Sequence, residues 1–268
     1  IRLPDRALVT DGAALQVQDD AEQSTTLTVA SQKHIGVNFT TAELTLQLDD
    51  FAERVLKPRI SQLASSIDAD VANAYKSIFN TVGTPGTSPA TALVLLQAQQ
   101  KLNESAAGMA PRYATVNPAA NAGLVNGLSG FFNPTTTISQ QFKNGMMGTG
   151  VLGFDEINMS QSIKVHTTGS RAGTILVNGA VSTQGQATIN IDGGTGAATI
   201  VAGDVFTIAS VYAVNPQTRE STGSLQQFVC TSTATASSGA WTSVAISPAI
   251  YTSASALATV DSFPADNA

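Results

Sequence analysis

The chain has 268 residues, 43% apolar and 12% charged, with 13 Lys+Arg against 19 Asp+Glu for a net charge of −6. That length fits one large mixed domain or two of ordinary size, and the acidic balance excludes a tight sequence-independent nucleic-acid binder, which needs many phosphate-neutralising cations. One cysteine, Cys230, rules out an intrachain disulfide, and with only His34 and His166 beside it no multi-ligand zinc cluster can be built.

No apolar run approaches the ~20 residues that cross a bilayer, and the start lacks the basic, apolar, small-residue succession of a signal peptide. The expectation is a soluble chain made in the cytosol. The opening at Ile1 and the small polar ending Ala265 to Ala268 suggest a piece cut from a longer chain.

Residues 8 to 48 alternate in the manner of half-buried strands, with Leu15 and Val17, Leu27 and Val29, Ile35, Val37 and Phe39, then Leu44, Leu46 and Leu48 on the repeated face. Long hairpins are expected there. Asp49 and Asp50 then precede an apolar pattern, and Asp50 with Glu53 has capping-box spacing. From Phe51 through Ile60, Ile67 and Val71 to Ile78 the apolar residues keep helical spacing, which predicts a helix as far as Asn80. Pro58 either kinks one long helix or sits at the first position of a second. Gly83 to Thr87 is a loop, and Ser88-Pro89 is the expected start of a helix reaching about Glu104.

Arg112 to Val116 reads as a short strand, Asn117-Pro118 opens a helix ending near Gly130, and strand character returns between Phe154 and Thr168. This alternation indicates a compact mixed α/β unit. The last 97 residues contain one basic residue, Arg219, and no helical period. They read as short strands at 174–177, 187–191, 205–214, 227–231 and 241–246, with turns at Asn178-Gly179, Asp192-Gly193-Gly194 and Asn215-Pro216. A small antiparallel barrel or sandwich is expected.

The chemistry-bearing motifs are missing: there is no Gly-x-Ser-x-Gly elbow, no phosphate loop with Lys, no His pair at zinc-binding helical spacing and no strand-linked dinucleotide glycine pattern. His34 and His166 are read as ordinary half-exposed sheet residues, and Cys230 as a small apolar side chain in a strand. Asp49, Asp50 and Glu53 are read as helix-starting groups rather than a metal or acid–base cluster. Asp19, Asp20 and Glu22 form an acidic tip between two strand runs, a solvated end that could also meet basic groups of a neighbouring chain. Gly193 to Gly196 lacks the helix of a phosphate cradle and is read as a turn. No catalytic, metal or cofactor residue is assigned, and the chain is not expected to be an enzyme.

Three stretches taken in order are more specific than any fragment. Asp11-Gly-Ala-Ala-Leu-Gln-Val-Gln-Asp19 continues to Leu46-Gln-Leu-Asp-Asp-Phe-Ala-Glu-Arg-Val-Leu-Lys-Pro58. Ile67-Asp-Ala-Asp70 is followed by Asn80-Thr-Val-Gly-Thr-Pro-Gly86. Gly203-Asp-Val-Phe-Thr-Ile208 is followed by Val214-Asn-Pro-Gln-Thr-Arg219, Thr222-Gly-Ser-Leu-Gln-Gln-Phe-Val229 and Ile246-Ser-Pro-Ala-Ile250. Through nearly the whole chain this resembles the major capsid (coat) proteins of short-tailed enterobacterial phages and their prophage relatives. That is the branch of the Johnson (Hong Kong phage) capsid fold with an inserted telokin-like β domain.

The resemblance implies an α+β fold with an E-loop and preceding strand over 1–48, a spine helix with peripheral and axial domains over 49–171, and an inserted β-barrel-like domain over 172–268. It implies a major capsid protein that self-assembles, as hexamers and pentamers, into the icosahedral shell of a tailed double-stranded DNA phage. A scaffolding protein, a portal protein and non-specifically packaged DNA are the implied partners, with no membrane. Assembly is expected in the host cytoplasm and residence in the virion. Some relatives of the fold crosslink Lys to Asn between subunits, which makes Lys33 the nearest candidate here, although this branch resembles the uncrosslinked members. Asp19, Asp20, Glu22 and Lys33 are thus the candidate intersubunit contacts. Relatives also use an insertion-domain loop for ionic contacts across two-fold axes, and the matching turn holds only Asp192. The rival reading is a secreted β-rich adhesion or carbohydrate-binding module, disfavoured by the long helix.

Overall fold

A computed structural model describes residues 1–3, 6–17, 24–29, 31–38, 52–128 and 148–268. They fall into two compact units, one containing 1–3, 24–29, 31–38 and 52–74, the other 6–17, 75–128 and 148–268.

In the first unit the expected long helix is present: a π-helical turn at Ala52–Leu56 leads into α1 (Lys57–Ala72), and the run ends in a 3-10 turn at Asn73–Ser77. Pro58 lies in the first turn of α1, directly after the π-helical turn. Asp49, Asp50 and Phe51 lie outside the described residues, and Glu53 pairs with Lys57 at 2.7 Å, one helical turn on. No side chain of α1 is buried. Residues 31–38 lie along one face of it: Arg59 Nη1 donates to Gly36 O at 2.8 Å, and Lys33 Nζ reaches Ser66 and Asp70.

The expectation of strands over 8 to 48 is not met among the described residues there. They form a single bridge, Arg2 to Ser24, with Thr25 N donating to Ile1 O at 2.9 Å. Leu15 and Val29 are each 90% exposed, and Val17 and Leu27 are nearly so. Alternation builds a strand when one face has a surface to bury against, and two strands alone are marginal in water.

The second unit holds two apolar cores with no residue in common. The smaller is built by α2 (Ala92–Glu104), α3 (Pro118–Gly127) and a three-stranded sheet of β1 (Tyr113–Val116), β2 (Gly148–Val151) and β3 (Phe154–Met159). β3 is central, parallel to β1 and antiparallel to β2, and Leu95, Leu124, Leu128, Phe154 and Ile157 fill the space beneath it. Asn117 caps α3 as its sequence requires, its side chain accepting from Ala120 N at 2.7 Å with Pro118 following. α2 starts three residues after Ser88-Pro89, at an extended Thr91. Pro89 and Ala90 are held extended against α3, where their carbonyls approach Gly123 and Gly127 too closely for any side chain. Arg112 is buried and donates to Asn103 Oδ1, Ala107 O and Gly108 O, tying the loop after α2 to the last turn of that helix.

From residue 173 the chain is all β. β4 (Gly173–Val177), β5 (Gln186–Gly194), β7 (Val205–Val214), β8 (Ser221–Cys230) and β10 (Trp241–Ile250) form an antiparallel sheet in the order β4-β5-β10-β8-β7. β6 (Thr199–Ile200) and β9 (Ala234–Thr235) pair separately and add Ile200 and Ala234 to the same core, centred on Phe228, Trp241, Ile189 and Val211. The turn at Asn215-Pro216 is present, its Asn215 Oδ1 accepting from Gln217 N and Thr218 N. Asp192-Gly193-Gly194, expected as a turn, instead lies inside β5 and pairs with β4. Gly193 has φ of +77°, and its backbone abuts Thr174 O, so a bulge there uses glycine for register and not for reversal.

The final segment seals this sheet. Val260 bridges to Ala213, and Asp261 exchanges bonds with Tyr212 on the edge strand β7. Val181 N then donates to Pro264 O, and Val177 on the other edge strand, β4, bonds with Asn267 and Ala268.

Candidate functional site

The sequence-derived contact residues are placed unevenly. Asp19, Asp20 and Glu22 lie outside the described residues. Lys33 is held by its own α1, with Nζ 2.6 Å from Asp70 Oδ2, 2.6 Å from Ser66 Oγ and 2.8 Å from Ser66 O. That saturates all three ammonium donors within one chain. Asp192 is part-exposed on β5, and His34 is exposed in an extended segment.

His166 departs from its expectation. Strand β3 stops at Met159, and His166 lies in the irregular linker that follows. Its Nε2 is 2.9 Å from Asp204 Oδ1 and its Nδ1 3.0 Å from Tyr75 Oη, with the two rings edge to face at 5.5 Å. Asp204 is fully buried, and its second oxygen accepts from Val201 N at 2.9 Å and Gly169 N at 3.1 Å. Burial alone would raise this carboxyl's pKa, but the bonds from Val201, His166 and Gly169, with the charge of Arg171, hold it below the ordinary range. An ionised Asp204 needs a donor at Nε2, so a neutral imidazole leaves Nδ1 to accept the Tyr75 hydroxyl proton. Gly203, at φ +100°, brings its backbone against both rings.

The residues of this relay are 91 and 38 positions apart in sequence, and no periodicity links them. The one local signal was Gly203-Asp204 directly before a strand. Because the folded pKa of Asp204 is depressed, its stabilisation is present above about pH 4 and is lost as pH falls through the lowered value. Urea unfolding from pH 7 to pH 3 should therefore show an acid loss of stability that Asp204→Asn flattens, because the variant has no carboxylate to protonate.

Cys230 is buried beside this loop, its N–H donating to Asp204 O at 2.8 Å. Burial and the Asp204 charge push its thiol up to about 12, so the thiolate that would react is not formed near neutrality. Among the described residues no group of three His, Cys, Asp or Glu is placed to hold a metal ion, and no helix is long and apolar enough to cross a membrane.

Surface is what the described residues offer. Ile60, Ile67 and Val71 recur on one stripe of α1 and are 63%, 50% and 68% exposed. With Leu15, Val17, Leu27 and Val29 they leave the first third of the chain rich in apolar side chains that bury nothing within it. These are the marks of a subunit completed by other subunits, a structural building block.

A family model described as P22 coat protein, gene protein 5, matches residues 10–267. The chain belongs to this family: it is a major capsid protein that forms the shell of a bacteriophage and resides in the virion. A search of curated proteins finds no match.

Proposed function

We propose that the shell is icosahedral and built on the Johnson capsid fold, with 1–48 as the E-loop and preceding strand, 49–171 as the spine helix with peripheral and axial domains, and 172–268 as an inserted β domain. The observation that carries the reading is the contrast within one chain. A β-rich segment has a sealed core around Phe228 and Trp241, while the chain before residue 78 exposes its apolar stripe. In this reading hexamers and pentamers cover that stripe in the host cytoplasm, with a scaffolding protein and a portal as partners and DNA enclosed non-specifically. The weak negative charge suits this role, since a dense cationic lining would retain DNA through salt-dependent phosphate contacts. The protein works as a structural subunit, not as an enzyme.

The acidic tip Asp19, Asp20 and Glu22 serves as an orienting contact between subunits. Each exposed pair contributes only ~0.2–1 kcal/mol and weakens with salt, but a closed lattice repeats it in every subunit. Negative-stain microscopy of the purified chain should show closed hollow particles. The triple alanine variant should melt as the parent does while giving fewer closed particles. Absence of any particle under all salt conditions would defeat the shell reading, and normal closure of the variant would defeat the role of the tip.

A further inference from the structure

Tyr75 and Thr81 lie six residues apart on a connecting segment that contributes nothing to either apolar core. Both are clasped by polar bonds, one to a linker residue anchored on the β-rich part and one to that part directly. At Tyr75 the partner is His166, backed by the buried Asp204. At Thr81 it is Gln227 of β8, which accepts from Thr81 N at 2.9 Å through Oε1 and donates to Thr81 O and Oγ1 at 3.1 Å each. Beside the second clasp is an open cleft of about 310 Å³, with Phe79, Lys101 and Glu104 on one wall and Val214, Gln226 and Pro248 on the other. No residue of either core lines this cleft.

We infer that the segment 75–81 is a releasable latch, whose clasps at His166 and Gln227 fix the orientation of the β-rich part against the α2/α3 part and whose opening frees it to swing on the linker 161–165. Several features support a latch over a fused core. Polar bonds with partial solvent access exchange readily for bonds to water, so the closed and open states differ by little. The His166 end is nevertheless directional, because Asp204 cannot turn away: it is fixed by Val201 N and Gly169 N. Residues 161–165 carry no regular structure, leaving backbone angles free to absorb a rotation there, whereas His166 and Gly169 are tied to Asp204 and Ser170 to Thr199.

Trypsin and hydrogen exchange on the full chain test this, because Lys76 lies in the latch and Lys164 in the linker. Tyr75→Phe with Gln227→Ala removes both clasps while leaving the ring and the strand in place. Cleavage after Lys76 and Lys164 should rise at least tenfold, and amides of 75–81 should exchange correspondingly faster. Amides of β10 should keep their parental protection. His166→Gln, which retains a donor for Asp204 and an acceptor for Tyr75, should stay near the parent, whereas His166→Ala, which leaves the Gln227 clasp, should fall between the parent and the double variant. Parental rates in the double variant would overturn the latch. So would faster exchange throughout β10, which would make these residues part of the β core, or a parent already cleaved at Lys76 as fast as the variant.

Discussion

Replacing Phe228 by alanine should cost about 3–5 kcal/mol and lower the melting temperature by on the order of 10 °C. Phe228 is fully buried at the centre of the larger core and stacks on Phe206 with ring centroids 5.8 Å apart. The sheet is sealed at both edges, so the walls around it have little freedom to collapse into the hole. Trp241→Phe is the informative control. The indole Nε1 of Trp241 is buried without a hydrogen-bond partner, so the smaller ring loses packing but also removes an orphaned donor. Its cost should be nearer 1 kcal/mol. Urea midpoints of the two variants measure the difference, and equal costs would refute the packing argument.

Placing charge on the exposed stripe of α1 should have the opposite signature. Ile67→Asp with Val71→Asp alters side chains that are 50% and 68% exposed, so the isolated chain should keep its stability to within about 0.5 kcal/mol. Particle yield should fall at least tenfold, because in a shell-forming protein this stripe is available to a second copy, and burying two unpaired carboxylates in an apolar contact is costly. Sedimentation of assembled against free subunits reads this directly. Ser66 and Asp70 belong to a different face, already occupied by Lys33, so Asp70→Asn should loosen residues 31–38 without mimicking the assembly defect.

What could be read from residues alone was whatever is decided locally. The helical spacing, realised over 52–77, the Asn117-Pro118 start of α3 and the Asn215-Pro216 turn depend on neighbours a few positions away, and each is present within the described residues. Misreadings arose where distant chain segments decide. Ser88-Pro89 has start chemistry for a helix, but packing over Gly123 and Gly127 holds the backbone extended to Thr91. Asp192-Gly193-Gly194 has turn chemistry, but pairing with β4 uses it as a bulge. The alternating residues Leu15, Val17, Leu27 and Val29 signal a surface to be buried, and the described residues do not supply that surface. The Tyr75–His166–Asp204 relay was invisible because three segments converge on it, and the resemblance to coat proteins, drawn from ordered stretches, carried the function without revealing it.

The sealing of the β-rich sheet matters most when many copies stand close together. An open edge strand is a template, and a lattice holds neighbouring templates at fixed spacing for as long as the particle exists. Where Val260 and Asp261 lie on β7 and Asn267 with Ala268 on β4, those stretches of both templates are occupied by residues of the same chain. A neighbouring copy crowded against them during assembly cannot add a strand of its own there.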